Sequence, residues 1–370
     1  MSKNKDKKKA NSKSDSKPKK KMRWSTRIRI FCAVFGLIVG AFLYFYFVLG
    51  KTYVNIPIIS SKDYSTIEMS GDGSLTGGDV TSAWKDGGHT RVYFNPKHPI
   101  IEVEQKDPNV ENFLVFGIDS RKVNDYKCRS DAMIVVSVNK SNNTVKLTSL
   151  MRDTGVYIGD TDETANKKLD KLNAAYAYGG VGLMINTINR NFDLDIQRFV
   201  MLDFTSAANI IDLCGGVDIT VSSAEVKYAN EFIAYQNKWT GSSSPNIQSS
   251  GRQTLNGTQA IAWSRIRYLD SDFVRTSRQR TIAQALIEKV ADMNYFDQMR
   301  LLEKSTGMFE TNMRPVDLSR VALQGVKGAD TLTQYRVPED NMFTVQSNPW
   351  MMKIDFEQTK IRLHNFIWGT

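Results

Sequence analysis

The sequence predicts an α/β protein: a single α/β domain with a central mixed sheet flanked by helices, preceded by one transmembrane helix. Three observations carry the prediction. From about Asn112 onward, short apolar runs alternate with segments of helical periodicity, as strands and helices do around one sheet. The first run, Phe113–Ile118, stops on polar residues at its carboxyl end, the pattern of a strand buried on both faces. Ile30–Gly50, IFCAVFGLIVGAFLYFYFVLG, holds 21 residues without a charge. As a helix it spans roughly 31 Å, enough to cross a bilayer core.

Ahead of that stretch, residues 1–29 form a basic tail. They hold thirteen Lys and Arg against Asp6 and Asp15, so +11; the remaining 36 basic and 37 acidic residues leave −1 of the formal net charge of +10. The high charge belongs to a short arm, not to the folded part. A cleaved signal peptide has a shorter apolar region ending in small residues, whereas here aromatics and Leu49 run up to Lys51. Residues 30–50 therefore read as an uncleaved anchor, with the basic side cytoplasmic and residues 51–370 extracellular. The arm serves as a topology signal and a contact for anionic lipid. It lacks the aromatic interleaving and the fold of a nucleic-acid site, so no nucleic-acid partner is expected.

Residues 51–110 read as an extracellular stem, because 51–90 are rich in Ser, Gly, Asp and Thr and cannot bury a core of their own. Residues 111–370 carry the domain. Ala132–Val138 and Thr144–Leu150 read as strands paired about the turn-rich Asn139–Asn143. Lys171–Tyr178 and Val181–Asn191 read as helices separated by glycines, and Arg198–Leu202 as a strand. Thr205–Leu213 is a helix stopped by Gly215 and Gly216, and Val217–Val221 a strand. Leu255–Trp263 is helical, capped by Asn256 or Thr254. A long amphipathic helix runs from Asp272 to about Met293, capped by Ser271 or Asp272. Helices over Phe296–Met308, Val316–Val326 and Phe356–Ile367 follow, with a strand near Thr333–Val337. Three cysteines exclude a disulfide-rich framework. Cys32 falls in the anchor; Cys128 and Cys214 either form one bridge or stay apart, with Cys214 in the core.

Five places hold polar residues that core packing does not explain. Gly117-Ile-Asp-Ser-Arg121 and Met151-Arg-Asp-Thr154 each follow a strand, where open α/β sheets bind ligands. Arg129-Ser-Asp131 precedes the next strand. Asp119 and Asp131 either converge on one cation or are separate solvated acids; two carboxylates completed by water and phosphate oxygens hold magnesium. Lys171-Leu-Asn-Ala-Ala-Tyr176 is either part of a site or simply a helix start. The fifth place, Trp263–Arg280, packs Arg265, Arg267, Arg275, Arg278 and Arg280 around Asp270 and Asp272. Guanidinium forks suit phosphate and stay charged at any working pH, so a phosphate-rich ligand is the natural candidate. Arg265 and Arg267 project to one side of an extended segment. Asp272, Arg275 and Gln279 share a helix face with Arg278 beside them, while Arg280 falls round the helix as a surface charge. The bland alternative is a salt-bridged, solvated helix.

Histidine use narrows the chemistry. His89, His98 and His364 lie away from these motifs, which speaks against a Ser–His–Asp triad or a His-ligated zinc. No Walker loop or GxGxxG is present. Any general base would have to be a carboxylate.

In chain order FLVFGIDSR, CRSDAMIVVSVN, LTSLMRDT, KLNAAYAYGG, IDLCGGVDI, LNGTQAIAWSRIRY and DFVRTSRQR resemble the LytR–CpsA–Psr family, over roughly Asn112–Met293. The resemblance implies a magnesium-dependent phosphotransferase of the Gram-positive cell envelope. Such an enzyme moves an anionic glycopolymer (teichoic acid, capsule or a related polysaccharide) from an undecaprenyl-diphosphate carrier to peptidoglycan. The acceptor is the 6-hydroxyl of N-acetylmuramic acid, the product a phosphodiester, and the place the outer face of the membrane. Carried over, the pattern puts magnesium on Asp119 and Asp131, and the diphosphate on Arg129, Arg152, Lys171, Arg265, Arg267, Arg275 and Gln279. Arg152, Arg267 and Arg275 with Asp272 or Asp270 would carry the catalysis. A hydrophobic tunnel between sheet and helices is implied for the lipid. Two departures stand out: Val274 where the family has Gly, and Arg280 where the family's RQQ ends in Gln. A rival reading takes Asp270-Ser-Asp272 as the DxD motif of a membrane-anchored glycosyltransferase using a nucleotide sugar. A non-enzymatic rival is an envelope regulator.

Overall fold

The computed structural model describes residues 46–65, 92–118 and 128–369, less positions 96, 167 and 268, with short pieces between 34 and 76. Asp119 lies outside the described residues. So does much of the candidate span Ile30–Gly50: its described positions are helical, and among the described residues no helix is long and apolar enough to cross a membrane.

The chain builds one sheet from both ends of the domain. Val110–Ile118 (β1), Ser130–Asn139 (β2) and Thr144–Leu150 (β3) form an antiparallel meander. Ala174–Phe192 (α1) then covers one face, and Arg198–Asp203 (β4) returns parallel to β1. Next come Phe204–Leu213 (α2), Val217–Val221 (β5), Ser223–Thr240 (α3), Gly251–Leu255 (β6), Gly257–Ser264 (α4) and Asp272–Ala291 (α5). Tyr295–Lys304 (α6) leads to Phe309–Thr311 (β7), antiparallel to β4, and Pro315–Lys327 (α7) to Thr333–Val337 (β8), parallel to β3. A hairpin of Phe343–Ser347 (β9) and Trp350–Ile354 (β10) precedes the last helix, Phe356–Trp368 (α8). The main sheet is mixed and six-stranded, in the order β7-β4-β1-β2-β3-β8.

Apolar residues on both sides of the central strands let helices pack on both faces. Leu114, Phe116, Ile118, Met133 and Val135 pack under α1 and α8; Phe113, Val115, Ile134, Val136 and Leu147 face α5 and α7. Pro at the first position and Asn256 at the cap start α7 and α4 as their sequences suggest: Asn256 Oδ1 accepts from Gln259 N at 2.9 Å.

Four expectations change. The stem does not end at 110. Ile56, Val92, Phe94 and Ile100 are buried in the same core as β1, and Val54 N donates to Thr311 O at 2.8 Å. A composition averaged over forty residues hid the short apolar run Val54–Ile59. The two helices expected around the glycines are one, α1, kinked at Gly180, whose φ is 73°; a Cβ there would stand 2.4 Å from Tyr93 O. The helix starts at Ala174, because Asp170–Lys171 pairs as a short strand with Gly155–Val156. Helix α3 was not expected at all, its apolar positions being few among polar ones. The cysteines follow expectation: no disulfide joins Cys128 and Cys214, and Cys214 is a core residue whose burial pushes its pKa up to about 11.

Candidate active site

The β2–β3 register dictates the centre of the site. Ile134 stands opposite Ser149, and running that register three residues outward sets Asp131 opposite Arg152. Arg152 Nη1 indeed donates to Asp131 Oδ1 at 2.5 Å. Arg267, from the loop after α4, donates to the other oxygen, Asp131 Oδ2, at 3.2 Å. Helix α5 begins at the same edge and contributes Asp272 and Arg275, paired at 2.9 Å; Asp272 Oδ1 also lies 3.7 Å from Arg152 Nη2. On the opposite side, buried Asp153 takes Lys171 Nζ at 2.6 Å and lies 3.4 Å from Arg152 Nε. Four cations and three carboxylates, from segments up to 144 residues apart in sequence (Asp131 to Arg275), thus share one cluster.

The electrostatics follow from that packing. Burial raises the Asp131 carboxyl, but the charges of Arg275, Arg152 and Arg267 outweigh it and hold the group below the ordinary carboxylate range. Burial lowers Arg152, and Asp131, Asp272 and Asp153 more than restore it. Arg275 is 2% exposed, and burial with the neighbouring guanidiniums brings its pKa down. The hydrogen-bonding capacity of the cluster is not used up. Arg152 Nε, Arg275 Nε, Arg275 Nη1 and Asp272 Oδ2 are buried with no hydrogen-bond partner. Buried donors left this way cost stability unless a ligand or water meets them. Three of the four are donors, which is what an anion of several oxygens would satisfy.

An apolar cavity of about 460 Å³ opens beside the cluster, between the sheet and helices α2, α4, α5 and α7. Val115, Val136, Leu147, Leu202, Ile287 and Val321 are among its lining residues. Gln279, one turn beyond Arg275 on α5, lines the end towards the cluster together with Gly117 and Ala132. The space is lined almost wholly by apolar residues, and its Ala132 and Gln279 adjoin the cluster along β2 and α5.

Not every expected residue joins the cluster. Arg265 caps α4, is buried, and stacks its guanidinium 4.4 Å from the Phe204 ring centroid. Arg129 is exposed and makes no ion pair with these carboxylates; its charge is felt instead at Tyr178. Arg278 turns away from the ligand side. It donates from Nε to Glu225 at 2.7 Å, pairs with Asp270, and so clasps α3, α5 and the loop between α4 and α5. Asp270 is thereby held in a structural ion pair, while Asp272 pairs with Arg275, so the two acids of the DxD reading serve different partners. Arg280 is not a surface charge: it is 8% exposed, donates from Nε to Gln334 at 3.0 Å, and is lowered to about 10 by burial and by Arg336. The residue missed by sequence reasoning is Asp153, which links Arg152 to Lys171; it stood in the quoted MRDT run beside Arg152. For a magnesium ion the donor set offers Asp131, whose carboxyl the arginines hold below the ordinary range; among the described residues no group of three or more acidic, His or Cys side chains converges.

A model of the LytR_cpsA_psr family matches residues 76–363. TagV of Bacillus subtilis (strain 168), named a polyisoprenyl-teichoic acid–peptidoglycan teichoic acid transferase, is 31% identical over 225 residues, which is 60% of this chain and 53% of that protein. The chain therefore spans about half the length of this relative. Among solved structures, one described as TagT bound to LIIa-WTA superposes with a TM-score of 0.56 at 24% identity, covering 73% of this chain and 95% of that one. Another, YwtF (TagT) with bound octaprenyl pyrophosphate lipid, gives 0.52 at 23% identity over the same shares.

Proposed function

The chain belongs to the LytR–CpsA–Psr family, and from that premise we propose that it is a phosphotransferase of the cell envelope. It moves an anionic glycopolymer from a polyprenyl-diphosphate carrier to the 6-hydroxyl of N-acetylmuramic acid in peptidoglycan, leaving a phosphodiester. The observation that carries the reading is the set of unpartnered guanidinium donors on Arg152 and Arg275 at the head of an apolar cavity. A lipid diphosphate needs both halves at once. The transferase name of TagV and the lipid bound in YwtF (TagT) are consistent with it. Residues 30–50 anchor the chain, with the tail cytoplasmic and the domain on the outer face, next to a carrier that stays in the bilayer.

Phosphoryl transfer asks mostly for positioning and charge neutralisation. The polyprenyl tail lies in the cavity and its diphosphate among Arg152, Arg267, Arg275 and Lys171, with Gln279 at the junction. Nε and Nη1 of Arg275 and Nε of Arg152 donate to phosphate oxygens, and their bonds strengthen as negative charge gathers on the departing polyprenyl phosphate. Asp272, whose Oδ2 is open, accepts the proton of the attacking hydroxyl. Asp131 orients Arg152 and Arg267 from between them. Magnesium would be held by Asp131 with Asp119, and would supply Lewis-acid neutralisation of phosphate oxygens.

The test is direct. Purified protein, a short lipid-linked glycopolymer and peptidoglycan are incubated with magnesium, and the product is searched for the phosphodiester by mass spectrometry. Product formation that disappears in Arg267→Ala and Arg275→Ala is expected. Undiminished attachment by either variant refutes the assignment.

A further inference from the structure

On the rim away from the apolar cavity, the phosphate chemistry leaves two aromatic side chains unused. Trp350 opens β10 at the tip of the hairpin, where a two-residue loop, Asn348–Pro349, sets it opposite Ser347. Its side chain is 44% exposed. The hairpin is firmly fixed all the same. Met352 N donates to Asp153 O at 3.0 Å, and Phe343, on the other strand, packs on Phe273 with ring centroids 5.4 Å apart. One hairpin thus touches the residue after Arg152 and the residue after Asp272. Lys171 Nζ lies 5.4 Å from the Trp350 ring centroid while it pairs with Asp153. Beside Lys171, Asp170 Oδ2 accepts from the Tyr178 hydroxyl at 2.7 Å, and Tyr178 too is half exposed.

Two exposed aromatic rings, one beside Lys171 and the other hydrogen-bonded to the adjacent Asp170, suit a sugar. The C–H face of a pyranose ring lies against an aromatic face, and its hydroxyls bond to planar carboxylates and an ammonium. We propose that Trp350 beside Lys171, with Tyr178 on the neighbouring Asp170, forms a platform for the acceptor glycan; the proposal rests on the phosphotransfer reading above.

Geometry favours the acceptor over the donor. Contacts run in sequence from the cavity through Gln279, then Arg275 with Asp272, then Arg152 with Asp131, then Asp153, then Lys171, and finally Trp350. In phosphoryl transfer the attacking and leaving oxygens stand roughly in line across the phosphorus. The leaving polyprenyl phosphate is on the cavity side, so the acceptor enters from the Trp350 side, and its hydroxyl reaches Asp272 where that carboxylate borders Arg152. The donor's own sugar departs sideways from that line.

The experiment uses the full chain in lipid nanodiscs, lipid-linked glycopolymer as donor, and a soluble tetrasaccharide of alternating N-acetylglucosamine and N-acetylmuramic acid as acceptor. Trp350→Ala is expected to raise the acceptor KM about tenfold, the scale of one lost aromatic contact. It leaves kcat and the donor KM within about twofold, and Trp350→Tyr restores most of the loss. Calorimetric titration of the tetrasaccharide gives a second readout, with binding to wild type weakened by the same factor in Trp350→Ala. An unchanged acceptor KM and tetrasaccharide affinity, or a rise in the donor KM alone, overturns the platform while phosphotransfer stands. Trp350-dependent tetrasaccharide binding by a protein that transfers nothing supports the platform and overturns the phosphotransfer reading instead.

Discussion

Replacing Arg275 by methionine would separate what the residue does for folding from what it does for ligand. In the free protein its guanidinium makes one ion pair, to Asp272 at 2.9 Å, and buries two donors with no hydrogen-bond partner. Losing the bond costs about 1.5–3 kcal/mol, whereas removing two buried unsatisfied donors returns about 1–3 kcal/mol each. Methionine keeps the length and the packing, and Asp272 retains solvent and the nearby Arg152. The return of about 2–6 kcal/mol matches or exceeds the loss, so the free variant should be no more than about 1 kcal/mol less stable than wild type. With a diphosphate bound the balance differs. Two donors that would reach phosphate oxygens are lost, at about 1.5–3 kcal/mol each, which predicts a fall of about 10²–10⁴-fold in kcat/KM. Thermal unfolding with and without a polyprenyl diphosphate reads both halves. The expected result is a Tm near or above that of wild type in the free variant, with the ligand-induced rise largely gone. A steep loss of Tm in the free protein, with kcat/KM kept within about tenfold, would show that Arg275 is only a structural ion pair.

Arg278→Ala should behave in the opposite way: it strands Glu225 and Asp270, costs about 3–5 kcal/mol of stability, and leaves kcat/KM of the folded protein nearly unchanged, as chemical denaturation and initial rates would show. Asp131 titrates below its ordinary value of 3.8, so its ionised form stabilises the fold at neutral pH and that contribution is lost as pH falls below 3.8. Asp131→Asn should therefore be less stable than wild type at pH 7, with the gap closing in stronger acid; a gap that persists there would refute the ion-pair account. Ala283→Phe fills part of the cavity and should weaken a long-chain polyprenyl diphosphate much more than a short-chain one, by competition binding. Chelation of divalent metal should weaken diphosphate binding in the same assay, and an unchanged Kd would remove magnesium from the site.

Much of this architecture could be read from periodicity, and the misses have physical causes. Strands β1 to β3 stood out because both faces are apolar, and their polar ends located the site edge. Helix α3 did not, since its buried positions include Glu225 and Gln236; its real signal was the Ser222–Glu225 spacing, where Glu225 accepts from Ser222 N at 2.8 Å. The arginines of α5 show the limit of helical-face reasoning. Arg278 was expected beside the face that Arg275 shares with Asp272 and Gln279, yet Glu225 on another element draws Arg278 into a clasp. Arg280 was expected to be solvated, and β8 covers it through Gln334. Which partner a long cation reaches depends on elements that arrive from elsewhere in the chain, and spacing along one helix does not contain that. Asp131 and Arg152 were easier, because an antiparallel register ties residues by a fixed sum of positions.

The cluster's own charge gives a reason for the magnesium expectation that does not depend on finding an acidic cage. Arg152, Lys171, Arg267 and Arg275 face Asp131, Asp153 and Asp272, which leaves one net positive charge. A diphosphate linked at both ends brings about two negative charges, and Asp119 would add one more if it joins the site. The loaded site would then carry two negative charges in excess in a half-buried setting, where unbalanced charge is costly. One divalent cation removes that excess. Magnesium needs only one or two protein carboxylates, because phosphate oxygens and water complete its shell. An additional arginine would neutralise only half as much and would have to be built into a cleft already crowded by guanidiniums. On this argument the metal arrives with the substrate: without diphosphate, Asp131 is fully occupied by Arg152 and Arg267, and metal affinity should be weak until the phosphates draw those arginines to themselves.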